Sequence, residues 1–260
     1  MLTKAQVKDL SDLHVRKIRE ERGEFLAEGP VLVAEALKYA TVRKLIYYEG
    51  DADQPETRWV LEQARLKSIV TWAATNWQFE KFCEAQAPQL IAAVVEMLPN
   101  RGQEMLAAEG PLVILDEIQD PGNVGALVRT AAAFAMAGVI ASDGSADLFQ
   151  AKTARASEGG IFKVPLAWQV QPWLIIPELL ARGFTIYGCT AHASADDFHK
   201  VEFPPKSVLI LGNERRGIRH SVLDQCSRMM RIPMHRATES LNVSVAGAVI
   251  MHHLYSQRQP

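Results

Sequence analysis

Short apolar runs alternate with helix-patterned stretches along this chain, and the rhythm changes once. In the first 97 residues the apolar runs fall at 25–27, 42–48, 69–72 and 90–95. Their length and their aromatic or β-branched content suit strands. Between them apolar positions recur every three to four residues, at 30–39, 55–66 and 77–84, and an amphipathic helix is expected over 4–21. This is the pattern of a small α/β unit. Leu98-Pro99-Asn100-Arg101-Gly102-Gln103 interrupts it, because Pro, Asn and Gly punctuate regular structure. Residues 98–110 read as a linker with room for a helical turn at 104–108.

From Pro111 the alternation is cleaner. Strands are expected at 112–115, 139–141, 184–189, 208–211 and 229–232, and helices at 124–136, 151–158, 172–182, 218–226 and 241–257. Strand–helix alternation implies a parallel sheet covered on both faces. The expected organisation is therefore a small α/β domain over 1–97, the linker, and a parallel-sheet α/β domain over 111–260. Sheets of this kind bind ligands in loops beyond the carboxyl ends of their strands.

Three such loops carry unusual residues. The first holds Asp120-Pro121-Gly122-Asn123-Val124-Gly125, with Arg129 six residues beyond Asn123. Asn123 reads as the N-cap of the next helix or as a functional amide. Arg129 stands among Ala126, Ala131, Ala132 and Ala133. It suits either a surface ion pair or a phosphate, which its planar fork matches. The second loop, Leu211-Gly212-Asn213-Glu214-Arg215-Arg216-Gly217, places two glycines and a carboxylate between strand and helix. Glycine permits close backbone approach or positive φ. Glu214 fits a helix N-terminus as well as a site. The third runs from Ile232-Pro233-Met234 to Ser240-Leu241-Asn242-Val243. Ser240 is suited to capping the last helix, whereas Asn242 inside a first turn is less easily explained.

Charge and composition narrow the choices. The net charge of −2 argues mildly against a wholly cationic nucleic-acid binder. Two local clusters run the other way: Arg16, Lys17, Arg19 and Arg22, and Arg215, Arg216, Arg219 and His220. Each is a solvated face or an RNA contact. Three scattered cysteines without C-x-x-C spacing disfavour a disulfide framework and a cysteine metal site, and favour a reducing cytoplasm. No apolar run is long enough to span a membrane, and the charged first twenty residues lack the apolar core of a secretion signal. No H-E-x-x-H, G-x-S-x-G, P-loop or G-x-G-x-x-G occurs, so no metal is expected and a standard dinucleotide fold is disfavoured. Trp59, Trp72, Trp77, Trp168 and Trp173 read as packing residues, any of which is also able to stack a base.

Taken in order, the three loops resemble the signature motifs of the SpoU (TrmH) family of RNA ribose 2′-O-methyltransferases, in the SPOUT superfamily. The stretches at 15–39 and 87–94 resemble the small RNA-binding domain of the ribosomal-RNA-modifying branch. The resemblance implies a trefoil knot in the C-terminal domain and a homodimer with the active site near the subunit interface. It implies S-adenosylmethionine as methyl donor, held at Gly212, Ile232 and Leu241, with Thr190, Ala191, Met234 and Val243 alongside. It implies catalytic roles for Asn123, Arg129, Glu214, Ser240 and Asn242; the charge clusters make Arg16, Lys17, Arg19, Arg22, Arg215 and Arg216 the candidate RNA contacts. Ribosomal RNA of the large subunit is the expected substrate. Transfer RNA, or a silent RNA-binding factor on the same scaffold, are the alternatives. Arg236 stands where the family often has glycine, within an intervening segment of unchanged length.

Overall fold

The computed structural model describes residues 1–85, 87–190, 194–235 and 240–258. Two compact units emerge, one of 1–98 with 149–163, the other of 99–148 with 164–260.

The first unit is built on a four-stranded sheet of β1 (Glu24–Glu28), β2 (Val42–Tyr48), β3 (Val70–Ala74) and β4 (Ile91–Glu96), in the order β1-β4-β2-β3. β4 is antiparallel to both of its neighbours, and β2 and β3 are parallel. The small side chains Ala92 and Ala93 let β4 lie buried between the other strands. Helices α1 (Lys4–Ser11), α2 (Arg16–Arg22), α3 (Pro30–Tyr39), α4 (Pro55–Leu66) and α5 (Asn76–Phe82) surround it. α1 and α5 open with reciprocal capping boxes, Thr3 with Gln6 and Thr75 with Gln78. These satisfy the first orphan N–H groups of each helix. α3 and α4 open with proline, whose missing N–H costs nothing there. The amphipathic stretch at 4–21 is two helices rather than one, broken by a 3-10 turn at Asp12–His14.

The segment Phe149–Lys163, read from sequence as part of the C-terminal domain, packs within this first unit. Phe149 and Phe162 lie 5.3 and 6.3 Å from the Phe25 ring. Glu28 is buried in β1 and receives Arg155 at 2.7 Å and the Glu84 N–H at 2.9 Å. Lys163 also pairs with Glu35.

The second unit carries the expected parallel sheet, of seven strands in the order β7-β6-β5-β10-β8-β11-β9. Its strands are β5 (Leu112–Asp116), β6 (Gly138–Ser142), β7 (Leu166–Val170), β8 (Thr185–Cys189), β9 (Asp196–Asp197), β10 (Ser207–Gly212) and β11 (Arg228–Arg231). Every pairing is parallel. Central β5 and β6 are buried throughout, as strands covered on both faces must be. One face packs Leu112, Ile114, Val208 and Ile210 against α9 (Pro172–Ala181), together with Met105 of α6 (Gly102–Met105) and Val222 of α10 (His220–Leu223). On the other, α7 (Pro121–Ala133) and α11 (Val243–Ser256) meet where Gly247 leaves room for Leu127 and Leu211. Residues 99–110 belong to this unit: the Arg101 N–H donates to the Leu166 carbonyl at 2.9 Å, and Met105 joins the core. The remaining helix of the chain, α8 (Ala151–Ala156), lies in the first unit.

Candidate active site

The three marked loops all leave the same end of the sheet, from the carboxyl ends of β5, β10 and β11. β10 is in register with β5, so Gly212 sits opposite Asp116. Beyond Gly212 the chain turns back on itself. Asn213 and Gly217 exchange backbone hydrogen bonds of 3.0 and 2.9 Å. The Asn213 Oδ1 accepts the N–H groups of Arg215 and Arg216 at 3.0 and 3.1 Å, while its Nδ2 donates to the Glu117 carbonyl at 2.8 Å. Glu117 itself takes a left-handed φ of 56°. A β-carbon on Gly212 would lie 2.4 Å from both the Gly217 carbonyl carbon and the Ile218 nitrogen. Gly217 takes a φ of 73°. The two glycines thus serve different ends, one close approach and the other left-handed backbone.

The loop is anchored by a buried ion pair. Asp116 is 0% exposed, and it accepts the backbone N–H of Arg219 at 2.8 Å and its Nε at 2.7 Å. The guanidinium also lies 4.8 Å from the Trp173 ring centroid and pairs with Glu117 and Asp143. Burial disfavours the charge on Arg219, but the hydrogen bonds and charge of Asp116 outweigh it and raise the pKa. Arg219, which by sequence belongs to a cluster that is either a solvated face or an RNA contact, is instead held by Asp116, Glu117 and Asp143.

Hydrogen bonds join the three loops directly. Asn123 Nδ2 donates to Glu214 Oε1 at 2.7 Å, and Asn242 Nδ2 donates to Asn123 Oδ1 at 3.0 Å. Asn123 is not the cap of α7. Asp120 is, accepting the Asn123 N–H at 2.9 Å, because Pro121 takes the first helical position. That frees the Asn123 amide to bridge the other two loops. Ser240 is not the cap of α11 either. Asn242 is, its Oδ1 accepting the N–H groups of Ser244 and Val245 at 2.9 and 3.4 Å. One asparagine therefore fixes the start of α11 with its oxygen and reaches Asn123 with its nitrogen.

Beside this chain lies a cavity of about 380 Å³, within the usual range for small-molecule sites. Thr190, Gly212, Ile232, Met234, Leu241 and Val243 line it, with Glu214, Arg215, Arg216 and Ser240. Ala191 and Arg236 fall outside the described residues. The sequence reading missed the apolar wall of Leu211, Ile218, Met230 and Ile250, whose run-like patterning reads only as core. Cys189 is also in the wall, and burial pushes its thiol far above the ordinary range. Burial likewise raises the Cys226 thiol to about 11, so neither is a thiolate near neutrality.

Other expected site residues lie apart from this cluster. Six residues on a 3.6-residue turn place Arg129 roughly 120° around α7 from Asn123, on an exposed part of the helix. In α2, Arg19 is 3% exposed and donates to the Leu13 and His14 carbonyls at 2.7 and 2.8 Å, so it is structural and closed to RNA phosphate. Arg16 pairs with Glu20, Lys17 with Glu21, and Arg22 with Asp9 and Asp12. The basic helix is thereby balanced by carboxylates. Among the described residues, no cluster of histidine, cysteine and carboxylate suits a metal ion.

Comparison with known proteins places these features in a group. Residues 110–252 match the SpoU rRNA Methylase family, and residues 4–93 match the MRM3-like substrate binding domain. The 23S rRNA (guanosine(2553)-2′-O)-methyltransferase RlmP of Bacillus subtilis (strain 168) is 34% identical over 96% of this chain and 95% of that protein. The 23S rRNA (uridine(2479)-2′-O)-methyltransferase of Streptomyces viridochromogenes is 27% identical over 94% of this chain and 86% of its own length. Among solved structures, the SpoU methyltransferase AviRb from Streptomyces viridochromogenes in complex with AdoMet superposes with a TM-score of 0.86 at 26% identity, covering 98% of each chain. An AdoMet-bound rRNA methyltransferase from Sinorhizobium meliloti gives 0.85 at 25% identity, over all of this chain and 97% of that one.

Proposed function

Because the chain belongs to the SpoU rRNA methylase family, we propose that it methylates a ribose 2′-hydroxyl of RNA with S-adenosylmethionine, and that its substrate is 23S ribosomal RNA. The observation that carries this reading is the hydrogen-bonded chain Glu214–Asn123–Asn242 at the edge of the cavity. It joins three loops whose sequences are separately unremarkable.

The cavity suits the methyl donor. Leu211, Ile218, Met230, Ile232 and Ile250 offer an apolar wall for a purine, and the strand-end backbone around Gly212 and Thr190 offers hydrogen-bonding groups. The missing Cβ at Gly212 leaves the turned-back Asn213–Gly217 loop pressed against the strand end, so the wall is set before anything binds. When bound, S-adenosylmethionine supplies a methyl group already activated on a sulfonium, so alignment of the accepting oxygen carries much of the catalysis.

The protein's own groups then have distinct tasks. Asn123 holds Glu214 through one carboxylate oxygen, leaving the other to receive the ribose hydroxyl. Asn242 fixes Asn123, and its capping oxygen fixes Asn242. Arg129 is a poor base, since an arginine guanidinium stays protonated in proteins. Its assigned work is to hold an RNA phosphate and to stabilise negative charge growing on the oxygen. Its offset around α7 from Asn123 favours action on a neighbouring subunit's site. A dimer is consistent with the apolar side chains that α11 leaves exposed, Val245 at 49% and Val249 at 36%. The first unit is assigned to RNA and the second to methyl transfer, with the knot of the family reading included in the latter.

The test is methyl transfer by the full-length protein from labelled S-adenosylmethionine into 23S rRNA of cells lacking it, followed by mapping of 2′-O-methyl positions. A single new site is expected. Cofactor binding without any transfer to ribosomal or transfer RNA would overturn the enzymatic reading in favour of a silent RNA-binding factor.

A further inference from the structure

Of the α2 cations, Arg19 is buried on backbone carbonyls, while Arg16, Lys17 and Arg22 are at least partly exposed and each has a carboxylate partner. Lysines without a carboxylate partner among the described residues stand on α1 and α5. Lys4 and Lys8 are exposed at an i,i+4 spacing on α1, and Lys81 is exposed on α5. None of the three is ion-paired among the described residues. Glu80 accepts from the Asn76 side chain and Glu84 from the Lys152 N–H, and no ion pair joins either to these lysines among the described residues.

Trp77 shares this helix pair. It sits one helical turn before Lys81, whose Nζ lies 5.3 Å from its ring centroid. At 62% exposure it is a large aromatic left in solvent, whereas Phe79 and Phe82 of the same helix are fully buried. Packing therefore does not account for it. The two helices run side by side in the same direction. Gln78 Nε2 donates to the Leu2 carbonyl at 2.7 Å near their starts, and Ser11 Oγ donates to the Lys81 carbonyl at 3.0 Å near their ends. Lys4, Lys8, Trp77 and Lys81 thus occupy the outward side of one helix pair.

Resting on the RNA-methylating reading above, we infer that Trp77 stacks an unpaired base of the RNA substrate while Lys4, Lys8 and Lys81 hold the flanking phosphates. An aromatic face accepts any base, and a lysine beside it both neutralises a phosphate and polarises the ring. Lysines that neutralise phosphates release counterions on binding, and these three need break no ion pair to do so. The whole surface falls within the stretch that matches a substrate-binding domain.

Binding of the full-length protein to a 23S rRNA transcript and to oligouridylate, across a salt series, tests this. Trp77→Ala should weaken both by roughly 5- to 150-fold, and Trp77→Phe by much less, because a ring remains. Replacing Lys4, Lys8 and Lys81 by glutamine should lower the log–log salt slope by about 2. In the transfer assay the loss should fall on the KM for RNA, with S-adenosylmethionine affinity kept. If Trp77→Ala and the triple variant bind as the parent does at every salt concentration, this surface is not the RNA contact, and a protein partner becomes its occupant. A parent protein that methylates no RNA would instead count against the functional reading itself.

Discussion

Gly212→Ala separates the two uses of glycine in the turned-back loop. The added methyl would stand 2.4 Å from two backbone atoms and 2.7 Å from the Gly217 oxygen. Ordinary carbon contacts begin near 3.5 Å, so the overlap is about 1 Å, and no rotamer relieves it. Either β10 or the 217–218 backbone must move. Moving the latter breaks the two Asn213–Gly217 hydrogen bonds, worth about 2 kcal/mol together. Gly217→Ala meets nothing within 4 Å and pays only for its φ of 73°, about 1–2 kcal/mol. The two variants therefore lose comparable stability by different routes, and at roughly 2–4 °C per kcal/mol each melts several degrees early. Cofactor affinity should distinguish them. Asn213 to Ile218 line the cavity without a break, so displacing them reshapes its wall. Gly212→Ala should weaken S-adenosylmethionine by at least tenfold in calorimetry, while Gly217→Ala, whose loop stays in place, should lose a few-fold at most. Parental affinity in Gly212→Ala, or equal losses in both variants, would refute the claim that close approach at Gly212 shapes the pocket.

Arg129→Ala should abolish transfer while leaving calorimetric affinity for S-adenosylmethionine within a few-fold, because the cavity is built from the other two loops. Equal loss of both would give Arg129 a folding role instead. Arg219→Ala strands the buried Asp116 carboxylate and should cost about 3–5 kcal/mol, seen as a lower melting temperature, whereas Arg219→Ala with Asp116→Asn should recover part of it. The pKa of His253 is lowered, first by burial and then by the charges of His199 and His252, with the Val201 backbone opposing. Its stabilising contribution is complete above the unfolded value near 6.5 and is lost as pH falls through the folded value. Melting curves from pH 7.5 to 5 should accordingly flatten in His253→Gln.

The sheet was legible because parallel strands buried on both faces are written as unbroken apolar runs. Those runs are Leu112–Leu115 and Val208–Leu211, which the structure places side by side. The loops were legible for a related reason: Gly, Pro and Asn mark strand ends whatever those ends do. Legibility stopped where meaning lies in distant partners. The carboxylate that holds Arg155 is Glu28, 127 positions away, so nothing local in Phe149–Lys163 reveals that the segment folds with the first unit. Arg19 looks like its neighbours Arg16 and Lys17 in sequence, and only its burial against two carbonyls sets it apart. Trp77 shows the reverse: sequence left it between packing and base stacking, and the structure leaves it outside the core.

The capping residues show how such ambiguity resolves into function. Asn123 and Ser240 each satisfied a capping rule on paper, yet Asp120 and Asn242 do the capping. For Asn123, losing that local task is what makes its amide available to Glu214, 91 positions away, and to Asn242, 119 positions away. Asn242 does both at once, because its oxygen and nitrogen face different loops. A substitution at Asn242 should therefore shorten α11 and loosen Asn123 together, whereas one at Glu214 should leave the helix intact. The site is thus coupled to the fold through a single side chain, and that coupling explains why capping chemistry alone could not separate the structural residues from the functional ones.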